Sequence, residues 1–385
     1  MLNMKILTLD VGTGTQDIFL YDSRLDLENC FKLVVPSPTM IVHRRIQEAT
    51  RHGQPVLLSG VTMGGGPSQW AAEDHARAGL PVYALPEAAR SFNDDLEAVR
   101  DMGIQILSAG EAARLPDSVL RLELRDFDFC AIRRSLEPFG VSLDGLAAVA
   151  VAVFDHGNAP PGYSDRQFRF DYLDERIRAE NRLSAFAYPS GDVPAIMTRL
   201  QAVVNSAADL DVPLVVMDTA PAAVLGACYD PAVALCTETM IVNVGNFHTL
   251  AFRLDSQGIA GVFEHHTGLI DLPKLERLLL SLADGSLAHA DVFEDQGHGA
   301  LVYCQRPLPL IAGGGFGVAV TGPRRNMMRT SSLRPHFAVP FGDMMIAGCF
   351  GLLAAVADVL PDLAQPIRDS LRGAGGSGTP PWELQ

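Results

Sequence analysis

Short apolar runs ended by glycine-containing turns alternate along this chain with segments of helical periodicity. Residues 6–9 run apolar into Asp10, Gly12 to Thr15 make a tight turn, and residues 18–21 are apolar again, which predicts a strand–turn–strand hairpin. Residues 30–35 read as a third strand, closed by Pro36 and Pro38. Residues 39–51 carry Met40, Ile41, Ile46 and Ala49 at helical spacing, and residues 55–59 read as a buried strand, so the opening order is β-β-β-α-β. Residues 61–68 hold three consecutive glycines ahead of a predicted helix over 69–78. Short helices over 86–92 and 94–102 and a strand over 120–124 then suggest an insertion spanning about 61–145.

Residues 146–154 are apolar almost without a break, as in a strand covered on both faces, and end in Asp155, His156 and Gly157. A Pro/Gly-rich aromatic loop over 158–172 with Asp165, Arg166 and Arg169, a helix over 192–210 and a buried strand over 212–217 follow. Asp218 and Thr219 then lead into a helix over 220–227 whose small residues permit a close crossing with another element. A second hairpin comes next: strand 240–244, a turn of Gly245, Asn246 and Phe247, strand 249–254, a third strand over 258–263 and a helix over 271–282. This repeats the opening order, and two copies of one supersecondary order imply two like domains. Residues 317–325 predict a strand and a Gly-Pro turn, 336–339 a short strand, 341–360 a helix, and the tail from Arg372 disorder. The expected division is 1–235, 236–365 and a disordered 366–385.

The chain length of 385 residues fits two cores better than one. A net charge of -15 and a pI near 5.0 leave no basic field for nucleic acid or an anionic membrane. Lys5, Lys32 and Lys274 are the only lysines and none follows a glycine-rich loop, which excludes a Walker A phosphate loop. Cys30, Cys130, Cys228, Cys236, Cys304 and Cys349 show neither CxxC nor CxxxCxxC spacing, so reduced thiols are expected rather than an iron–sulfur or zinc-ribbon site. With no charged leader and no apolar run long enough to span a bilayer, a cytoplasmic protein is expected.

The first turn concentrates the candidate chemistry. Gly12 and Gly14 let backbone amides approach an anion, Thr13 and Thr15 offer hydroxyls, and Asp10 stands at the strand end, a set suited to a Mg-nucleotide. An edge hairpin with a Gly/Thr turn has the same sequence. The 61–68 loop, aimed at a helix start, fits either an anion site or a flexible crossing. Asp155 and His156 lie at the carboxyl end of a buried strand, where open α/β sheets place their chemistry, although a satisfied turn histidine looks no different.

Taken together, LDVGTGTQD at 9–17, DTAPAAVLGA at 218–227, NVGNFHT at 243–249, AVTGPRR at 319–325 and GDMMIAGC at 342–349 resemble the phosphate-1, connect-1, phosphate-2, adenosine and connect-2 segments of the actin/Hsp70/sugar-kinase (ASKHA) superfamily. More narrowly, the chain resembles a family sometimes labelled pyruvate formate-lyase activating protein, although it lacks the CxxxCxxC of a radical enzyme. The resemblance implies two RNase H-like lobes, an actin-like ATPase fold, with ATP and Mg2+ in the cleft between them. Gly12, Thr13, Gly14 and Thr15 would hold the β- and γ-phosphates, facing Asn243, Gly245 and Asn246. Asp10 would orient Mg2+ through water, and Thr321, Gly322 and Pro323 would line the nucleoside. Asp155 would be the base or water-positioning group with His156 beside it. Two positions depart from the pattern: Asp17 stands where such kinases often keep a basic residue, and Asn243 where the second phosphate loop normally starts with Asp.

Several functions therefore compete. The first is a Mg-dependent ATPase or small-molecule kinase, whose partners are a nucleotide and an unidentified small molecule or protein, in an oligomeric state the residues do not reveal. The second is a catalytically altered protein of this fold acting as a binding or enzyme-maturation factor, which Asp17 and Asn243 favour. A metal hydrolase using Asp155, His156, His265 and His266 is opposed by the lack of an i, i+4 histidine pair and by the opposite faces of an HH dipeptide on a strand. GGGFG at 313–317 lacks the third glycine of a dinucleotide fingerprint.

Overall fold

A computed structural model describes residues 4–310, 316–376 and 380–383 as a mixed α/β fold. The chain opens with strands β1 (Lys5–Val11), β2 (Thr15–Asp22) and β3 (Phe31–Pro36), paired antiparallel in sequence. Helix α1 (Pro38–Arg51) follows; Ser37 caps it by accepting from the Met40 amide at 3.2 Å, and Pro38 fills a first-turn position where no N–H is needed.

The next stretch builds a sheet of its own. It contains β4 (Val56–Gly60), α2 (Pro67–Arg77), β5 (Val82–Ala84), α3 (Pro86–Ala89), α4 (Leu96–Asp101), β6 (Ile104–Ile106), α5 (Ala109–Ala112) and β7 (Leu120–Leu124), with the parallel strand order β6-β5-β4-β7. Val56, Leu58, Val82, Ile104 and Leu122 are buried in a separate core beneath it. The expected opening order β-β-β-α-β is present, and the order alone left open whether residues 56–60 or 147–154 fill the fourth strand of the first sheet; β4 joins β5 and β7 instead. After α6 (Phe129–Leu136), β8 (Leu146–Val153) takes the place beside β1, parallel to it. The apolar runs of β4 and β8 look alike in the sequence, and such runs carry no alternation that names a neighbour.

The first sheet is completed by α7 (Asp165–Ala179), β9 (Ala187–Pro189), α8 (Thr198–Ser206), β10 (Leu214–Asp218) and α9 (Thr219–Ala227). The second comprises β11 (Thr239–Val244), β12 (His248–Asp255), β13 (Gly258–His266), α10 (Leu272–Asp284), α11 (His289–Phe293), β14 (Gly299–Val302), β15 (Val318–Thr321) and β16 (His336–Phe337). Helices α12 (Ala347–Val359) and α13 (Ala364–Leu371) end the fold.

The two sheets have the orders β3-β2-β1-β8-β10-β9 and β14-β13-β12-β11-β15-β16. Each contains a three-strand antiparallel meander whose first strand is extended by two parallel strands, with one extra antiparallel strand at an edge. The repeat expected from the sequence is therefore present as strand order. Helices α9 and α12 cross where Gly226 and Gly351 lack side chains. A Cβ on Gly226 would lie 1.7 Å from the Ala347 carbonyl oxygen, and one on Gly351 1.9 Å from that of Ala222.

Four predicted segments differ. The 158–172 loop becomes helix α7 from Asp165, which buries Arg169. The 192–210 helix starts only at Thr198, after a turn containing Pro194. The 341–360 helix starts at Ala347, because Pro340–Gly342 is a separate turn with Phe341 at φ 49°. Residues 366–371, expected in a disordered tail, belong to α13, whose Ile367 is fully buried. Residues 377–379 and 384–385 of that tail, and Gly313 to Gly315 of GGGFG, lie outside the described residues. Among the described residues no single helix is long and apolar enough to cross a membrane.

Candidate functional site

The turns joining β1 to β2 and β11 to β12 are built alike. Gly12 N–H donates to the Thr15 carbonyl and Gly245 N–H to that of His248, each at 2.9 Å. They also meet: a Cβ on Gly14 would lie 2.5 Å from Asn246 Nδ2, so a larger residue there would have to displace that side-chain amide. Around this meeting point is a cleft of about 820 Å³ including its open mouth. Asp10, Gly12, Thr13, Gly14, Thr15, Asn243, Gly245, Asn246, Thr321, Gly322 and Pro323 all line it. The structure thus brings together eleven residues from three separate stretches of the sequence.

Asp10 sits at the base of the cleft. The Thr219 hydroxyl donates to Asp10 Oδ1, and a Cβ on Gly348 of α12 would lie 1.8 Å from Asp10 Oδ2. Burial raises its carboxyl to about 6, partly offset by the Thr219 hydrogen bond. Asp17 is its cross-strand partner. Burial first, then the nearby Asp10 charge, raises Asp17 to about 8, and its Oδ1 is buried without a hydrogen bond among the described residues. Two buried acids side by side are a donor set for a hard cation, which would offset their mutual repulsion.

Asp155 and His156 do not line this cleft. Asp155 is 3% exposed, and its two oxygens accept from Gly157 N–H at 2.8 Å and Leu200 N–H at 2.9 Å. Those bonds fix the turn after β8 to the start of α8, so the expected base is a structural tie set back from the cleft. His156 points instead toward the second sheet, where its Nε2 lies 3.2 Å from Nε2 of His298. Burial, followed by the neighbouring His248 and His298 rings, holds His156 well below the usual histidine range; burial also brings His298 to about 3 and His266 to about 4. Of the other residues weighed for a hydrolase, His265 turns away from His266, its Nε2 lying 3.5 Å from Asp295.

Sequence reasoning missed several residues in the cleft and behind it. Arg199 lines it from α8, held by Asp126 at 2.7 and 3.0 Å and by the Phe154 carbonyl at 2.8 Å. Thr219 was visible only as the residue after Asp218. Arg169, fully buried, donates to Asp218 at 2.7 Å from the first sheet and to Glu264 at 2.7 Å from the second. No local pattern announces it, since a buried arginine in a helix is recognisable only by its distant partners. The 61–68 loop lies beside the cleft mouth, with Trp70 and Phe247 ring centroids 5.7 Å apart. Its glycines have a packing reason: a Cβ on Gly65 would lie 2.2 Å from the Ser91 carbonyl oxygen.

Comparison with known proteins adds the following. Among solved structures, an exopolyphosphatase-like protein shares 11% identity at a TM-score of 0.23, over 84% of this chain and 66% of its own. The ROK hexokinase from Thermus thermophilus shares 12% at 0.25, over 96% of this chain and 89% of its own. A nucleotide-free acetone carboxylase structure shares 11% at 0.22, over 67% of this chain and 45% of its own. The chain thus spans just under two thirds of the exopolyphosphatase-like protein and less than half of the acetone carboxylase chain. No curated protein sequence matches it. Residues 63–327 match the model of the family described as "Putative pyruvate format-lyase activating enzyme (DUF1786)", and the chain belongs to that family.

Proposed function

We propose that the cleft binds a Mg2+-nucleotide and that the protein is an actin-like ATPase or small-molecule phosphotransferase. In this reading each six-stranded sheet is the centre of an RNase H-like lobe, with the four-stranded sheet inserted in the first; the expected bounds 1–235 and 236–365 are revised, since α12 and α13 are buried with Ile6, Phe19, Ala150 and Val215 of the first sheet and belong with that lobe. One observation carries it: two glycine turns of the same construction, far apart in the sequence, line one cleft with Thr321 to Pro323 at its wall. Backbone amides of the turns and the Thr13 and Thr15 hydroxyls would hold phosphate oxygens, and Asp10 with Asp17 would hold Mg2+. The ion would neutralise phosphate charge; the chain's own part is to position the polyphosphate and exclude water. Arg199 replaces Asp155 as the charged group beside the reacting phosphate.

Calorimetric titration of ATP with Mg2+ tests this. Saturable binding that raises the melting temperature by a few degrees, and that is strongly weakened in Asp10→Asn, is expected. No heat and no shift with any nucleoside triphosphate would refute it. The second reading, a catalytically altered binding or maturation factor, is favoured by one observation, the Asp17 carboxyl in the cleft wall where kinases keep a basic group. It predicts nucleotide binding without turnover.

A further inference from the structure

The imidazoles that gather beside the cleft have no part in that reading. His156 follows β8 of the first sheet, His248 opens β12 and His298 precedes β14, so three distant stretches converge. One nitrogen from each lies within 4.8 Å of the others. Glu264, fully buried on β13, faces two of these rings: its Oε1 is 2.8 Å from His248 Nδ1 and 3.5 Å from His298 Nδ1. Its other oxygen, Oε2, accepts from Arg169 Nε at 2.7 Å, which fixes its orientation.

A carboxylate in that position accepts a hydrogen bond from His248 Nδ1–H and so leaves a lone pair on His248 Nε2; its charge, 3.5 Å from His298 Nδ1 but without a hydrogen bond to it, favours the same tautomer there. His156 Nε2 is 3.2 Å from His298 Nε2. Two imidazoles bound to one tetrahedral ion at about 2.0–2.1 Å hold their nitrogens roughly 3.3–3.4 Å apart, so this pair already has ligand spacing. An N–H···N hydrogen bond would account for that pair, but not for the third ring or for the carboxylate behind two of them.

We propose that His156, His248 and His298 form a trihistidine site for a borderline divalent transition metal of the Zn2+ or Co2+ class, oriented by Glu264. Neutral nitrogen donors select such ions over Mg2+, and buried histidine backed by a carboxylate is the usual second layer of such a centre. Three protein ligands leave a position for water or substrate. His248 also lines the cleft, so the open position belongs to a Lewis acid beside the cleft that can polarise an oxygen of a bound substrate. The proposal goes beyond the nucleotide reading and stands without it.

The test uses the full chain stripped with a chelator and no nucleotide. Calorimetric titration with Zn2+ should give one equivalent per chain, and Co2+ should give the intense visible band of a four-coordinate ion. His156→Asn, His248→Asn and His298→Asn, each checked by circular dichroism, should weaken Zn2+ binding at least about 100-fold. Glu264→Gln should weaken it about 10–100-fold, the range for loss of such a backing group. His336→Asn, whose ring pairs with Asp230 elsewhere, should bind as the parent does. A parent that takes up no Zn2+, a weak six-coordinate Co2+ spectrum, or folded histidine variants that bind like the parent would each overturn it. The Co2+ spectrum requires no variant, so a substitution that prevents folding leaves the test intact.

Discussion

The turn between β1 and β2 and the turn between β11 and β12 share a backbone and differ in what they carry. The first has an acid at the strand end and hydroxyls in the turn: Asp10, Thr13 and Thr15. In the second, Asn243 replaces the acid, Phe247 packs on Trp70, and His248 stands where the first has Thr15, joining the imidazole cluster. The same construction thus offers hard oxygen donors on one side and a nitrogen donor on the other. The backbone bond is the same in the two turns because it closes the hairpin; the side chains differ, and each turn meets different neighbours.

Substitutions can separate these contributions. The largest effect is expected from Gly14→Val, whose side chain must enter the space of Asn246 Nδ2. It should push that amide aside and fill the space between the turns, abolishing nucleotide binding, while any loss of stability stays within about 1–3 kcal/mol, the usual cost of overpacking, as read by denaturant unfolding. Asp10→Asn should keep the backbone but weaken Mg-ATP binding about 100-fold in titration calorimetry, because the remaining amide is a poor ligand for a hard cation.

A smaller effect concerns pH. Unfolded, Asp10 and Asp17 ionise near 3.8; folded, they do so at about 6 and about 8. The folded state keeps protons that the unfolded state releases, so this pair costs stability progressively as pH rises from about 4 to about 8. Melting temperature measured without divalent ions should fall over that window, and Asp17→Asn should flatten the fall. A melting temperature that rises with pH in Asp17→Asn and in the parent alike would contradict the assignment. The smallest change is expected from Asn243→Asp, which makes the second strand end resemble the first and should alter Mg-ATP affinity less than about tenfold. Gain of turnover in that variant would favour a kinase that has lost activity.

Much of this comparison was legible in the sequence. Apolar runs, glycine turns and a small-residue helix are local signals, and they located both hairpins and one helix of the α9–α12 crossing, though not its partner. Pairing was not legible for β4 and β8, since two short buried runs look alike until sheet order separates them. Asp155 was misjudged because position at a strand end does not reveal that both its oxygens are occupied by Gly157 and Leu200. The histidine cluster was hidden for a related reason: its members come from both sheets and share no spacing. His266 was noticed only as half of a dipeptide, yet its ring lies 4.7 Å from that of His298.

The most direct test of the central claim is a crystal structure with Mg2+ and a slowly hydrolysed ATP analogue. Phosphate density between residues 12–15 and 245–248, with the ion near Asp10, is the predicted result. Phosphates bound anywhere else, or an empty cleft at a concentration that saturates binding in solution, would contradict it.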